Sequence, residues 1–328
     1  MRPLEPWPAA EGFATADWRD PVPVAVVERR RLPLLNLLLF ALTLATTTIA
    51  GALNEGVSID QLGGRWTSGL PFSLPLMSIL LAHEMGHYLL ARHHGVRVTL
   101  PFFLPGPPFV FGPGTFGAFI RMKSAAPNRR VLFDVGAAGP WAGICVAIPA
   151  VLYGLYLSEL KPLPPTFSGL EFGESLLFQL LGRLVVGPIP HGFDIFLHPV
   201  ALAGWFGFLV TALNLLPVGQ LDGGHVVYSL FGRRHRWIAR TFLLCTVAIG
   251  FYGWSGWFAW AVLMLLVGID HPPTLDHATP LDPRRRLMGW MTLGLFLVTF
   301  VPVPISLLEG GVGARAEELI PAALRLPR

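Results

Sequence analysis

Long apolar runs separated by clusters of basic residues most constrain what this chain can fold into. Residues 32–53, for example, carry no charged side chain and are long enough to cross a bilayer as one helix. Of the 328 residues, 53% are hydrophobic and only 13% are charged, whereas soluble domains are about one quarter charged. The sequence therefore predicts an α-helical polytopic membrane protein with about seven transmembrane helices. Their expected positions are 32–53, 70–91, 131–157, 199–221, two within 241–269, and 287–308.

The distribution of basic residues predicts how these helices are oriented. In this layout 18 of the 24 lysine and arginine residues lie in cytosolic segments, as the positive-inside rule requires, and the N-terminus is cytosolic. Residues 1–31 lack the apolar core of a signal peptide and the pattern of a transit peptide, so we expect an integral protein of a bacterial cell membrane. The net charge of +4 is spread over these clusters and does not suggest a nucleic-acid partner. The expected partners are the lipid bilayer and a membrane-protein substrate.

A metal-binding motif lies near the cytosolic end of the second predicted span. Its residues, His83-Glu84-Met85-Gly86-His87, form the pattern His-Glu-x-x-His. Residues four apart share one face of a helix, so His83 and His87 can present two imidazoles to one ion. This spacing is typical of zinc metalloproteases, in which the glutamate is the general base for water. The alternative is a helix with two hydrogen-bonded histidines at the membrane edge, but ionisable residues inside a span are costly and usually mark function.

The segment after this motif, residues 96–122, is not expected to form a helix. Prolines and glycines interrupt it throughout, and aromatic and apolar residues lie between them. We predict short β segments that form a membrane-associated hairpin. An unfolded substrate could pair with the open edge of such a hairpin, and Gly117 and Phe119 are the candidate contacts. The alternative is a surface loop that packs on the helices.

A second acidic residue lies at the end of the fourth predicted span. Asp222 follows Pro217 in a glycine-rich stretch, so we expect the helix to be kinked or unwound there. Of the 20 acidic residues, only Glu84 and Asp222 lie at the cytosolic ends of long apolar helices, and the topology puts both ends at the same face. His83, His87 and Asp222 would then supply three ligands to one zinc ion, with water in the fourth position. The alternative for Asp222 is a helix cap or a loop acid.

These residues together resemble the site-2 protease family of intramembrane zinc metalloproteases. The resemblance rests on three segments in the same order, from about residue 70 to residue 224: His-Glu-Met-Gly-His at 83–87, Gly-Pro-Trp-Ala-Gly at 139–143, and Asn214 followed by Leu-Asp-Gly at 221–223. It implies a three-helix catalytic core and one zinc ion per chain near the cytosolic face. It also implies hydrolysis of peptide bonds in transmembrane segments of substrate proteins.

Family roles carry over to individual positions of this chain. The resemblance implies that His83, His87 and Asp222 bind zinc and that Glu84 is the general base. Asn214 matches the asparagine that the family carries upstream of its aspartate, and it would line the site or steady the substrate backbone.

The chain is expected to divide into five parts. These are a flexible cytosolic arm (1–31), a first span with an outer loop (32–69), a catalytic core with the zinc site (70–224), C-terminal membrane helices (225–308) and a tail (309–328). The loop at 158–198 is too short for the PDZ domain that many bacterial relatives carry there, and residues 174–186 within it could form an amphipathic helix on the membrane surface. The uncharged run at 241–269 favours a two-helix hairpin over one long helix.

Two other functions would use parts of the same pattern. A divalent-metal transporter would use His83, Glu84, His87 and Asp222 as a transit site, but it needs polar residues along the whole path. The outer halves of these spans are almost wholly apolar, which disfavours that function. A non-catalytic membrane scaffold that retained the motif is the other alternative, and nothing in the motif is degraded.

Overall fold

The computed structural model describes residues 33–109, 112–162, 169–276 and 278–308. The predicted arm at 1–31 and tail at 309–328 lie outside these ranges. Within them the helices are α1 (Leu34–Asn54), α2 (Leu62–Arg65), α3 (Leu70–His93), α4 (Arg129–Leu157), α5 (Leu176–Val185), α6 (Pro199–Asn214), α7 (Asp222–Phe231), α8 (His235–Tyr252), α9 (Gly256–Val267) and α10 (Pro283–Thr299). The strands are β1 (Phe102–Pro105), β2 (Thr115–Phe119), β3 (Glu159–Pro162), β4 (Gly169–Phe172), β5 (Phe193–Phe196) and β6 (Ile305–Leu308).

Helix lengths bear on the predicted spans. Among the described residues, α1 and α4 are the helices that are long and apolar enough to cross a membrane. The α3 helix has 24 residues but falls outside this group, because it carries the polar residues of the motif. With 16, 12 and 17 residues, α6, α9 and α10 are each shorter than the roughly 20 residues that a span needs. The count of seven spans therefore stays a prediction.

Helix α4 is the centre of the core. It packs against α3, α6 and α7, and its first turn is capped by Asn128, whose side chain accepts hydrogen bonds from the backbone N–H groups of Arg130 and Val131 at 3.0 Å. Large side chains buried in the core include Ile79, Trp205 and Phe208. Close helix approach and van der Waals contact stabilise helix pairs in a bilayer, where apolar burial supplies little driving force.

The fourth predicted span ends earlier than expected. Helix α6 ends at Asn214 rather than at Leu221, residues 215–221 are not helical, and α7 begins at Asp222. Pro217 has no backbone N–H to donate, and Gly219 has a φ of +55°, which a right-handed helix does not allow. The predicted unwinding around Pro217 is confirmed, but Asp222 begins a new helix instead of ending the long apolar one, and the predicted end of the span at Leu221 is wrong.

The C-terminal region also differs from the expectation in one place. The run at 241–269 is divided into α8 and α9, which pack against each other as the two-helix hairpin requires. The last predicted span, 287–308, was too long, because α10 ends at Thr299. Pro302 and Pro304 follow and cannot continue a helix. The residues after them form β6, which pairs antiparallel with β4.

Strands β1 and β2 pair antiparallel in the segment that separates α3 from α4, with Phe102 opposite Phe119. The pair packs on α1. The Asn36 side-chain amide donates to the Pro101 carbonyl at 2.8 Å, and the rings of Phe40 and Phe103 meet edge to face at 5.0 Å. This segment therefore lies beside α1, which is long and apolar enough to span a membrane.

An ion-pair cluster joins α10 to the core. Arg285 donates to both carboxylate oxygens of Asp134 at 2.8 and 2.7 Å, and His94 lies 2.9 Å from the same carboxylate. The Arg285 side chain and backbone N–H also bind Asp282, the N-cap of α10, and hold the pKa of that carboxyl at about 2. His94 is thus engaged by Asp134.

Candidate active site

Helix α3 presents three residues of the motif to one buried cavity. His83, Glu84 and His87 are 3%, 4% and 6% exposed. The Nε2 atoms of the two histidines lie 3.1 Å apart, as expected for residues one helical turn apart. His87 Nδ1 lies 2.7 Å from the carbonyl oxygen of Val135, and a carbonyl can only accept, so Nδ1 carries the proton. The unprotonated Nε2 of neutral His87 therefore faces His83.

Asp222 completes this cluster from the first residue of α7. Its Oδ2 atom lies 3.1 Å from His83 Nε2 and 3.2 Å from His87 Nε2. The three residues form a group whose potential ligand atoms all lie within 4.8 Å of one another. Residues 139 positions apart in the sequence thus meet at one point, although Asp222 begins a helix rather than ending one.

The chemistry and spacing of these atoms fit a zinc ion. Donor atoms at two corners of a tetrahedral zinc site with bonds of about 2.0–2.1 Å lie about 3.3 Å apart. The three distances in the cluster are 3.1, 3.1 and 3.2 Å. Two imidazoles and one carboxylate form a ligand set found at catalytic zinc sites, which keep the fourth position for water or substrate.

Glu84 lies in the same cavity but is not one of the three clustered ligands. The cavity has a volume of about 180 Å³, and Phe119, Asn214 and Asp222 also line it. The backbone N–H of Ile120, just after β2, is directed at the Glu84 carboxylate. The side-chain amide of Asn214 lies 3.3 Å from His83 Nε2. Gly117 does not line this cavity, so of the two predicted hairpin contacts only Phe119 does.

A close approach between α3 and α4 shapes the histidine side of the site. A Cβ atom at Gly139 would overlap the ring of His87 at its Nε2, Cδ2 and Cε1 atoms. Glycine at this position is therefore required by the imidazole packed against it. The Gly-Pro-Trp-Ala-Gly segment at 139–143, one of the three predicted motifs, borders the metal cluster directly.

Seven of the lining residues were not among the predicted site residues, and three of these bear on the chemistry of the site. Ile120 contributes a backbone N–H, which has no signature in the sequence. Gln220 and His225 flank Asp222 and also line the cavity. Their closeness in sequence to Asp222 could have suggested that they lie near the site. The glycine-rich sequence around them, however, has no regular spacing of apolar residues that would predict the direction of their side chains.

Comparison with known proteins agrees with this site. Residues 71–252, more than half of the chain, match the family described as Peptidase family M50. The chain belongs to peptidase family M50. This confirms the resemblance to site-2 proteases that the motifs predicted, and M50 proteins are intramembrane proteases. The chain is thus an integral membrane protein of mainly helical structure.

Several plant M50 relatives are similar over most of this chain. It is 33% identical over 259 residues to "Probable zinc metalloprotease EGY1, chloroplastic" of Arabidopsis thaliana. The aligned region covers 75% of this chain and 45% of that protein. The protein of the same name from Oryza sativa subsp. japonica is 32% identical over 256 residues, covering 75% and 43%. "Probable zinc metalloprotease EGY2, chloroplastic" of Arabidopsis thaliana is 30% identical over 245 residues, covering 73% and 42%. The chain spans less than half the length of these relatives.

Proposed function

We propose that this M50 protein is a zinc metalloendopeptidase that hydrolyses peptide bonds in or near transmembrane segments of membrane-protein substrates. The observation that carries the proposal is the buried cluster of His83, His87 and Asp222 with Glu84 in the same cavity. The printed names of the plant relatives, which describe zinc metalloproteases, support it.

The residues of the cavity have separate roles in this reaction. His83, His87 and Asp222 hold the ion. An ion held there would supply Lewis-acid chemistry, polarising the scissile carbonyl and making the attacking water more acidic. Glu84 takes the proton from that water and passes it to the leaving nitrogen. The backbone N–H of Ile120 is a hydrogen-bond partner of the Glu84 carboxylate.

Strand β2 provides a surface for the substrate. In the described part of the chain β2 pairs only with β1, which leaves its second edge without a strand partner. Ala118 and Phe119 of β2 and the next residue, Ile120, line the cavity. A transmembrane helix hides its carbonyl groups in its own hydrogen bonds and must unwind before cleavage. An extended peptide paired along β2 presents its backbone to Glu84.

The hairpin lies within the membrane in this proposal. It packs against α1, and Phe109 and Phe116 are 62% and 74% exposed. Exposed aromatic side chains beside a candidate span suit lipid better than water. A cytosolic N-terminus follows from the basic residues, and the bacterial cell membrane stays a prediction from the sequence, since the relatives above are named as chloroplast proteins.

The test measures zinc content of the purified protein and its cleavage of a generic single-span substrate. Glu84→Gln is expected to keep one zinc per chain and to lose at least 10²–10⁴-fold in rate, roughly the contribution of a general base. Asp222→Ala is expected to lose both zinc and cleavage, because a ligand is gone. Glu55→Gln and Asp60→Ala, which change exposed acids, serve as matched controls and should retain both.

Two results would contradict the proposal. Cleavage retained by Glu84→Gln would remove this residue from the role of base. Zinc uptake into liposomes by the wild type, without cleavage of any single-span substrate, would favour the transporter.

A further inference from the structure

His225 lies three residues after Asp222 and lines the same cavity. It is only 8% exposed, and its Nδ1 atom lies 2.7 Å from Nε2 of His271. His271 belongs to the segment between α9 and α10 and lies outside the 71–252 region that matches the M50 family. A residue beyond the family region therefore contacts the candidate active site through His225.

The hydrogen bonds of this pair fix which nitrogen atoms carry protons. His271 Nδ1 lies 2.5 Å from the carbonyl oxygen of Pro272, which can only accept, so Nδ1 carries the proton. In a neutral imidazole the other nitrogen is then an acceptor, so His271 Nε2 accepts from the Nδ1–H of His225. It follows that Nε2 of neutral His225 bears a lone pair and no proton.

That lone pair has no partner in the protein. Among the described residues His225 Nε2 forms no hydrogen bond. This atom is not fully buried either. In the described part of the chain, Ser229 Oγ is the side-chain atom found both fully buried and without a hydrogen-bond partner, and His225 Nε2 is not in that class. The open atom of His225 therefore faces the cavity that the side chain lines. An acceptor that faces the cavity is satisfied when water or a bound ligand supplies a donor.

Several contacts hold His271 in place. Its backbone N–H donates to Nε2 of His235 at 3.0 Å, and His235 Nδ1 donates to the Gly232 carbonyl at 2.9 Å. The ring of Tyr228 stacks on His271 with centroids 4.5 Å apart. His271 is thus bound to α7 and α8 at several points and cannot rotate without breaking these contacts.

We propose that His225 contacts the substrate, its Nε2 accepting a hydrogen bond from a backbone N–H of the peptide, and that His271 is the positioning residue that fixes this tautomer. The proposal rests on the peptide-binding role proposed for the cavity. A metal role for His225 does not fit, because its nitrogen atoms are not part of the cluster formed by His83, His87 and Asp222. An extended peptide carries an N–H for every carbonyl, and the site needs an acceptor for it.

Amide side chains offer matched variants for both histidines. Asparagine can replace the Nδ1 position of histidine, and glutamine can replace the Nε2 position. His225→Asn keeps a donor toward His271 but removes the open Nε2. His271→Gln keeps an acceptor toward His225, whereas His271→Asn loses it.

The binding experiment uses the Glu84→Gln background and a dye-labelled single-span peptide in detergent. His225→Asn is expected to weaken peptide binding about tenfold, the loss of one buried hydrogen bond. His271→Asn should weaken it by a similar or smaller factor, and His271→Gln should recover most of the affinity. Zinc content should be unchanged in all three, which separates this effect from loss of the metal.

A second readout does not depend on binding or cleavage. Nitrogen-15 NMR of histidine-labelled protein distinguishes the two tautomers, with the His225 signal assigned by its absence in His225→Asn. The wild type and His271→Gln should show the proton on Nδ1, and His271→Asn should show a mixture. If the wild type fails to cleave while Glu84→Gln binds peptide as described, the proposed function fails and the role of His225 stands.

Four results would overturn the inference. These are a wild-type proton on Nε2 of His225, unchanged peptide affinity in His225→Asn, loss of zinc in that variant, and no peptide binding in the Glu84→Gln background. Unchanged affinity combined with slower cleavage in His225→Asn would assign the lone pair to the attacking water instead of the peptide.

Discussion

His83 and His87 reach the candidate metal site from one continuous helix, whereas Asp222 reaches it from a short helix that follows the non-helical residues 215–221. We call these the histidine half and the aspartate half. The backbone hydrogen bonds of α3 set the spacing of the two residues of the histidine half. The aspartate half depends on contacts with distant residues, such as the hydrogen bond from the Gly219 N–H to the Ile269 carbonyl at 2.9 Å.

This difference teaches that the two halves should respond to different perturbations. A regular helix moves as a unit, so the histidine half should fail only when something enters the space of the imidazoles. Residues 215–221 are held by short turn hydrogen bonds and by the bond to Ile269 instead of a continuous helical ladder, so we expect the aspartate half to lose its geometry in smaller steps.

The largest effect is expected from Gly139→Ala, which targets the histidine half. The added methyl group would overlap the His87 ring, and the ring cannot remain in the cluster. We expect zinc affinity to fall at least about 100-fold, the upper range for changes next to a ligand, and cleavage to fall to background. Zinc content and cleavage of a single-span substrate measure this. Gly294→Ala is the control, because a Cβ there has nothing within 4 Å, and normal zinc content in Gly139→Ala would refute the packing argument.

Gly223→Ala makes the corresponding change in the aspartate half. A Cβ at Gly223 would overlap the carbonyl oxygens of Leu215 and Leu216. Because this overlap displaces the adjoining backbone and does not enter the space of a ligand side chain, we expect a smaller loss of zinc affinity, about tenfold, measured by competition with a chelator. Gly182→Ala, in open space on α5, is its control. A loss larger than that of Gly139→Ala would reverse the comparison.

Removal of zinc should separate the two halves without any mutation. After treatment with a chelator, we expect amide hydrogen exchange in residues 215–222 to accelerate about tenfold. Exchange in residues 80–90 of α3 should change little, because its hydrogen bonds and packing do not depend on the metal. Mass spectrometry of peptic fragments measures both regions in one sample. Equal acceleration would mean that the metal organises the two halves alike.

The smallest effect is expected from a pair of proline variants. Pro217→Ala frees the backbone in the unfolded chain and should destabilise the protein by about 0.4–1 kcal/mol. Pro75→Ala lies inside α3, where proline lacks a helical N–H, and should instead be neutral or stabilising. The midpoint of thermal unfolding in detergent compares the two. A fall of the midpoint in Pro75→Ala would show that α3 needs its proline.

The histidine half could be predicted from the sequence because its geometry is local. A four-residue spacing on an apolar helix sets the direction of both imidazoles, and α3 extends only two residues past the predicted end at residue 91. The role of Asp222 as a ligand could be predicted only from the membrane topology. That topology places the ends of two distant helices at the same face of the membrane. The end of α6 at Asn214 was placed seven residues late, because the apolar run continues through Leu215 and Leu216 without being helical.

Other features depend on contacts that no local pattern encodes. His271 lies 46 residues from His225, in a segment whose proline-rich sequence indicated only a loop. The Ile120 N–H beside Glu84 belongs to the backbone, and any residue type would provide it. The early end of α10 could have been predicted from Pro302 and Pro304. The apolar residues around these prolines instead favoured a longer membrane span.

The pairing of β4 with β6 has a consequence for the biosynthesis of the protein. Glu171 and Ser306 face each other in this ladder although they lie 135 positions apart in the chain. Strand β4 is synthesised before α6 to α10, and in the described structure β6 is its strand partner. Until the ribosome has made residue 306 and the strand has been delivered to the same side of the membrane, β4 keeps an unpaired edge. This ladder is therefore among the last contacts to form, after the helices have been threaded.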